Sequence, residues 1–102
     1  MNQYYTPSLG PANAIRLPRA QTLREMSALP EAQSRQRAAE LIEDPPPELC
    51  SMEIERFLIR VRGTGPWAAG QLLESRHINP VRTLRALRVW DRVALAEALR
   101  VP

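Results

Sequence analysis

One hundred and two residues set the scale of one small domain. A hydrophobic share of 44% with only 5% aromatics allows a core built mainly on Leu, Ile, Val and Ala, and the single Cys50 excludes an intramolecular disulfide or a cysteine-only zinc site. The formal net charge of +3 is uneven: residues 1–55 hold five Arg against eight acids, net −3, and residues 56–102 hold nine Arg against three, net +6.

A basic half of this kind points to an anionic partner, most often nucleic acid. All fourteen basic residues are Arg. Codon bias in a GC-rich genome explains the missing Lys, but not the clustering. No apolar run reaches about eighteen residues and the N-terminus is unlike a signal peptide, so the expectation is a cytoplasmic protein with no membrane partner.

Residues 1–19 carry Pro7, Gly10, Pro11 and Pro18 without periodicity and are expected to form a disordered or extended tail. Residues 20–102 read as one helical nucleic-acid-binding domain. Leu23, Met26 and Leu29 set a first helical segment, which Pro30 ends unless it opens the next helix. That next helix runs to about Glu43 on Ala38, Leu41 and Ile42. Asp44-Pro45-Pro46-Pro47 breaks it. Ser51 is placed to cap a third helix, in which Ile54, Phe57, Leu58 and Val61 follow the i, i+3, i+4, i+7 pattern. Gly63-Thr64-Gly65 turns the chain, and Pro66 suits the first position of a fourth helix with Ala69, Leu72 and Leu73 buried. Asn79 is expected to cap a short turn over Pro80–Leu84. A last helix, Arg88–Arg100, is expected to bury Val89, Val93, Ala96 and Leu99. No segment alternates as a strand does. The fold class is all-α: a small helical domain behind a flexible N-terminal tail.

The stretch VRGTGPWAAGQLLES holds three of the four glycines, two of them flanking Thr64. One permits positive φ; another lets backbone approach a ligand with no Cβ between. The first N–H groups of the following helix lack intrahelical partners and its dipole favours an anion. Arg62, Gly63, Thr64, Gly65, Pro66 and Trp67 are therefore candidates for a phosphate-binding hairpin. The plain alternative is a tight connection between two helices. Downstream, PVRTLRALRVWDR places Arg82, Arg85 and Arg88 at every third residue, with Arg92 beyond, and few acids nearby. Such an edge supplies affinity and salt sensitivity without reading sequence.

In ERFLIRV, RGTGPWAAGQLL, HINPVRTLRAL and RVALAEAL, taken in that order, the segment from about Arg35 to Leu99 resembles the actinobacterial integration host factors. RAAELIED fits the preceding helix. The resemblance covers about two-thirds of the chain and is most specific in the joint spacing of the hairpin and NPVRTLRAL. It implies a helix–two-turns–helix element and a sequence-tolerant, nucleoid-associated protein that binds double-stranded DNA through its backbone. Arg82 and Arg85 match the second turn; Gly63, Gly65 and Pro66 match the hairpin. Two departures stand out. Pro66, Trp67 and Ala68 replace the family's basic hairpin side chains, and the N-terminal region is acidic where the family's is basic. GTGPWAAG also resembles the hairpin of repair glycosylases, but no second half exists to form their pocket, so no enzyme is expected.

His77 has no partner at metal-ligand spacing and reads as a helix-end residue; Cys50 reads as a small apolar filler. Trp90 is assigned to the core. Catalytic residues, metal and cofactors are not expected. The partners expected are the double-stranded DNA backbone and, for a chain expected to be a monomer, a protein partner if the acidic half is used. The alternatives are a protein-interaction or transcription-regulatory module with reduced DNA affinity, and an RNA- or ribosome-binding protein.

Overall fold

The structure, a computed structural model, describes residues 11–101, with side chains from Leu17 onward. Five α-helices follow one another: α1 Pro11–Ala28, α2 Glu31–Glu43, α3 Ile54–Ile59, α4 Pro66–Glu74 and α5 Val89–Arg100, with 3-10 turns at Pro47–Leu49 and Leu84–Ala86. Among the described residues the only strand-like pairing is one isolated bridge, Glu53 to Thr83. The fold is all-α, as the periodicity predicts.

The helix α1 begins at Pro11, so residues 11–19, expected to be extended, belong to it; the rest of the expected tail lies outside the described residues. Pro18 sits within the helix, exposed, where it removes one backbone donor. Side-chain anchors outweigh that loss. Leu23 and Met26 are buried. Arg19 Nε donates to the Glu48 carbonyl at 2.9 Å, and its Nη2 donates to Ser51 Oγ at 2.8 Å. Ser27 Oγ donates to the Arg60 carbonyl at 2.7 Å. The α1 helix thus lies along the segment leading into and through α3.

Ile54, Phe57, Leu58 and Val61 are all buried, as the stripe predicts. Ser51 does not cap α3; Glu53 holds that position without a side-chain bond, and the Ser51 hydroxyl serves Arg19 instead. Pro30 stands at the N-cap of α2 with φ −54°, and Pro66 opens α4. Asn79 Oδ1 accepts from Val81 N–H at 3.1 Å, the expected turn cap. Arg82 N–H closes that turn on the Asn79 carbonyl at 3.0 Å, and the helical turn comes later, at Leu84–Ala86.

The most extensive helix pair is α2 with α5. The two run in opposite directions, since Arg35 reaches Leu99 while Arg92 reaches Ile42. Here the expected register is corrected. Val89 and Val93 are 72% and 49% exposed, and Trp90, assigned to the core, is 64% exposed. The inward face is Asp91, Leu95, Ala96 and Leu99. Asp91 is buried because its carboxylate takes the N–H and Nε of Arg88 at 3.3 and 3.2 Å, closing the start of its own helix. With Asp91 turned inward, its neighbours Val89, Trp90 and Val93 must face water.

At the far end of this pair, Arg100 donates two parallel bonds to Glu43 at 2.7 and 2.8 Å, and its Nε donates to Gln36 at 3.1 Å. The bonds from Arg100 hold the Glu43 carboxyl below its ordinary value of 4.5. A depressed carboxylate stabilises the fold above the unfolded value and loses that contribution as pH falls through the folded one. Thermal melts taken from pH 6 downward should therefore converge below about pH 4.5, as the native chain loses its advantage over Glu43→Gln. Parallel curves would mean the pair contributes nothing.

Candidate nucleic-acid interface

The hairpin begins where α3 relaxes into a turn. Thr64 N–H donates to the Val61 carbonyl at 3.0 Å, and Gly63 carries φ +85°, a conformation an L side chain resists. The turn is tied to α2 by a single bond. Arg62 N–H donates to Ser34 Oγ at 3.0 Å, and Ser34 is fully buried. The two glycines then part ways. A Cβ on Gly63 would lie 2.5 Å from Glu31 Cδ, whereas a Cβ on Gly65 would meet nothing within 4 Å. The space left open by the missing side chain of Gly63 is filled by the protein's own carboxylate. On the Gly65 side the corresponding space is open.

Gly65 is extended, φ −93° and ψ −176°, and its carbonyl accepts from Ala69 N–H at 2.9 Å. The N–H groups of Gly65, Trp67 and Ala68 precede that bond and have no partner among the described residues. Pro66 has none to offer. Trp67 is 77% exposed beside them. Arg62 is exposed and its guanidinium only grazes the Leu29 carbonyl at 3.5 Å.

The second turn is built on the start of α3. Ile54 N–H donates to the Arg82 carbonyl at 2.8 Å and Glu55 N–H to that of Pro80 at 3.2 Å; in return Leu84 N–H reaches Met52 at 2.9 Å and Arg85 N–H reaches Cys50 at 3.0 Å. This backbone clamp fixes residues 80–85 alongside 50–55. The Arg82 guanidinium folds back to the Ala86 carbonyl at 3.3 Å. That of Arg85 is exposed and has no partner among the described residues.

The expected single basic edge is broken up. Arg88 is committed to Asp91 and lies 5.1 Å from the Trp90 ring centroid. Arg92 is spent on the Ile42 and Arg85 carbonyls, and Arg76 on Leu72 and Ser75. Arg62 and the hairpin sit at the C-terminal end of α3, while Arg82 and Arg85 sit at its N-terminal end. The antiparallel partner helix α4 has nine residues, so the two turns stand roughly 13 Å apart along it. They are two separate contact points, at either end of one helix pair.

Two residues at the hairpin were missed from the sequence. Glu31 and Ser34 reach it from α2, and a tertiary approach of that kind leaves no local signal. Arg60, one turn before the hairpin, is exposed and has no side-chain partner among the described residues. His77 is exposed just past α4 with φ 56°, a helix-end residue as expected, and Cys50 is half-buried, its thiol 3.5 Å from the Pro46 carbonyl. Among the described residues no three His, Cys, Asp or Glu cluster as metal ligands, and no helix is long and apolar enough to cross a membrane. No protein-family model, no curated protein and no solved structure matches the chain.

Proposed function

We propose that this chain is a sequence-tolerant, nucleoid-associated DNA-binding protein that grips the duplex backbone at two points. The first is the hairpin from Arg62 to Trp67, acting through backbone N–H groups; the second is Arg82 and Arg85. One observation carries the reading: each end of the α3–α4 pair presents donors that the protein leaves unused. At one end these are the N–H groups of Gly65, Trp67 and Ala68; at the other it is the Arg85 guanidinium. Phosphate oxygens accept from both kinds of donor. Arg88, held by Asp91, has a lesser role.

The test is a duplex-binding isotherm at two or more salt concentrations, for the native chain and for Arg82→Ala plus Arg85→Ala. Affinity should fall steeply with salt and vary little with sequence. The double variant should flatten the log–log salt slope by about two units, one for each lost phosphate contact. An unchanged slope removes these arginines from the interface.

A second reading draws on Val89, Trp90 and Val93, exposed together on α5. Apolar side chains gathered at one place on a surface fit a protein partner better than a phosphate. Under that reading the chain is a regulatory module. Capture of a partner dependent on Trp90, with no duplex shift at low salt, would favour it.

A further inference from the structure

Beside the hairpin, α4 walls a shallow groove of about 360 Å³, lined by Thr64, Trp67, Ala68, Gln71, Leu72 and Arg76 among others. That volume is in the range that takes a small ligand. Thr64 is only 6% exposed, yet its hydroxyl has no hydrogen-bond partner among the described residues. Since no buried side-chain oxygen or nitrogen there lacks a partner, the hydroxyl keeps some contact with solvent, and Thr64 is one of the residues lining the groove. A threonine serving only a tight connection would satisfy itself on a nearby carbonyl. Next to it stand the free N–H groups of Trp67 and Ala68. The Trp67 ring forms one wall, 77% exposed. Arg76 is held through Nη1 by Leu72 and Ser75, which leaves Nε and Nη2 without partners among the described residues.

We infer that this groove binds an unpaired nucleotide: its phosphate on the Thr64 hydroxyl and the N–H groups of Trp67 and Ala68, and its base stacked on the Trp67 indole. A hydroxyl and backbone N–H groups complement a phosphate. A large aromatic face in water complements a base, and every base has such a face, so the groove tolerates any sequence. Arg76 lies on the line a continuing strand would take along α4. The substrate class is single-stranded nucleic acid, as at a gap, a frayed end or a junction. A base paired within a duplex cannot offer its face to Trp67. The inference rests on the proposed nucleic-acid reading for the hairpin N–H groups alone; Arg82 and Arg85 take no part in it.

Trp90→Phe leaves Trp67 as the sole tryptophan reporter of the full chain. The probes are an oligothymidylate of about ten nucleotides, a relaxed, covalently closed circular duplex, and inorganic phosphate. Oligothymidylate should quench Trp67 emission. By anisotropy of the labelled strand, Trp67→Ala should weaken its binding by about fivefold or more, and Thr64→Val, which keeps the shape and removes the hydroxyl, should weaken it as well. Arg82→Ala plus Arg85→Ala should weaken it less than Trp67→Ala does and leave the Trp67 quenching in place at saturation. Strand binding that ignores Trp67→Ala, or duplex binding with no strand binding, overturns the inference and leaves the duplex reading standing. Strand binding with Trp67 quenching but no duplex binding supports the inference and sinks the duplex reading. Quenching by inorganic phosphate alone, with no further gain from the strand, shows an anion site without base stacking and also overturns it.

Discussion

Arg35→Ala should cost about 2–3 kcal/mol of stability, the scale of losing charge-assisted hydrogen bonds at a partly buried site, and lower Tm by on the order of 10–20 °C. The Arg35 guanidinium donates to carbonyls at the end of α5 and just past it: Nε to Leu99 at 2.9 Å, and Nη2 to Ala98 at 3.1 Å and Val101 at 2.8 Å. The final carbonyls of a helix have no intrahelical donor, and the dipole there favours a cation. One planar side chain meets both needs and locks α2 to α5. Removing it leaves three acceptors to water and loosens the largest helix pair in the fold. Arg35→Lys should recover little, because an ammonium cannot fork to several carbonyls at once. Differential scanning calorimetry gives the answer directly. A Tm within a degree or two of the native one would mean that water replaces the guanidinium at no cost, and that the α2–α5 pair rests on apolar packing alone.

Gly63→Ala and Gly65→Ala should differ sharply although the glycines are two residues apart. Gly63 has φ +85°, where an alanine costs roughly 1–2 kcal/mol. The close approach of the Glu31 carboxylate adds little, because the far end of a glutamate can swing away. Gly65 lies at φ −93° with open space where a Cβ would go, so alanine there should leave stability unchanged or raise it by a few tenths of a kcal/mol. Binding should order the two the other way. A methyl on Gly65 would stand in open space next to the unused N–H groups in the chain and should weaken phosphate contact. Urea midpoints and duplex isotherms on both variants separate the effects. Equal destabilisation by the two would show that hairpin geometry, not ligand access, is what both glycines serve.

Much of the fold could be read locally. The stripe through Ile54, Phe57, Leu58 and Val61 is a period of 3.6 written in four residues, and Pro66 opens α4 because its missing N–H is one no helix start would use. The proline run after Asp44 ends α2 by the same logic. The failures have physical causes too. In α5 an apolar stripe through Val89 and Val93 competes with one centred on Asp91 and Leu95; side-chain type selects the first, while the contact between Arg88 and Asp91 selects the second. In α1 the prolines argue against a helix, and the anchors that favour one, Arg19 on Glu48 and Ser27 on Arg60, lie far along the chain. The candidate site divides the same way. The hairpin and its positive φ are visible in Gly-x-Gly-Pro. Nothing in the sequence tells that Glu31 fills the space over Gly63, or that Arg76 and Arg92 donate to carbonyls of their own fold.

The pairing of α2 with α5 also sets the order in which the chain can fold. The bonds from Arg35 to the end of α5 span 63 to 66 residues. Contacts so distant in sequence return nothing until the intervening loop has closed, and closure costs entropy first. Helices α3 and α4, joined by a short turn, can form early as a local hairpin. Ala38, Ala39 and Ile42 wait for the last helix before they leave water. During synthesis on a ribosome the core therefore stays open until α5 has emerged, and folding is slower than in a helical protein whose neighbours in sequence are its neighbours in space.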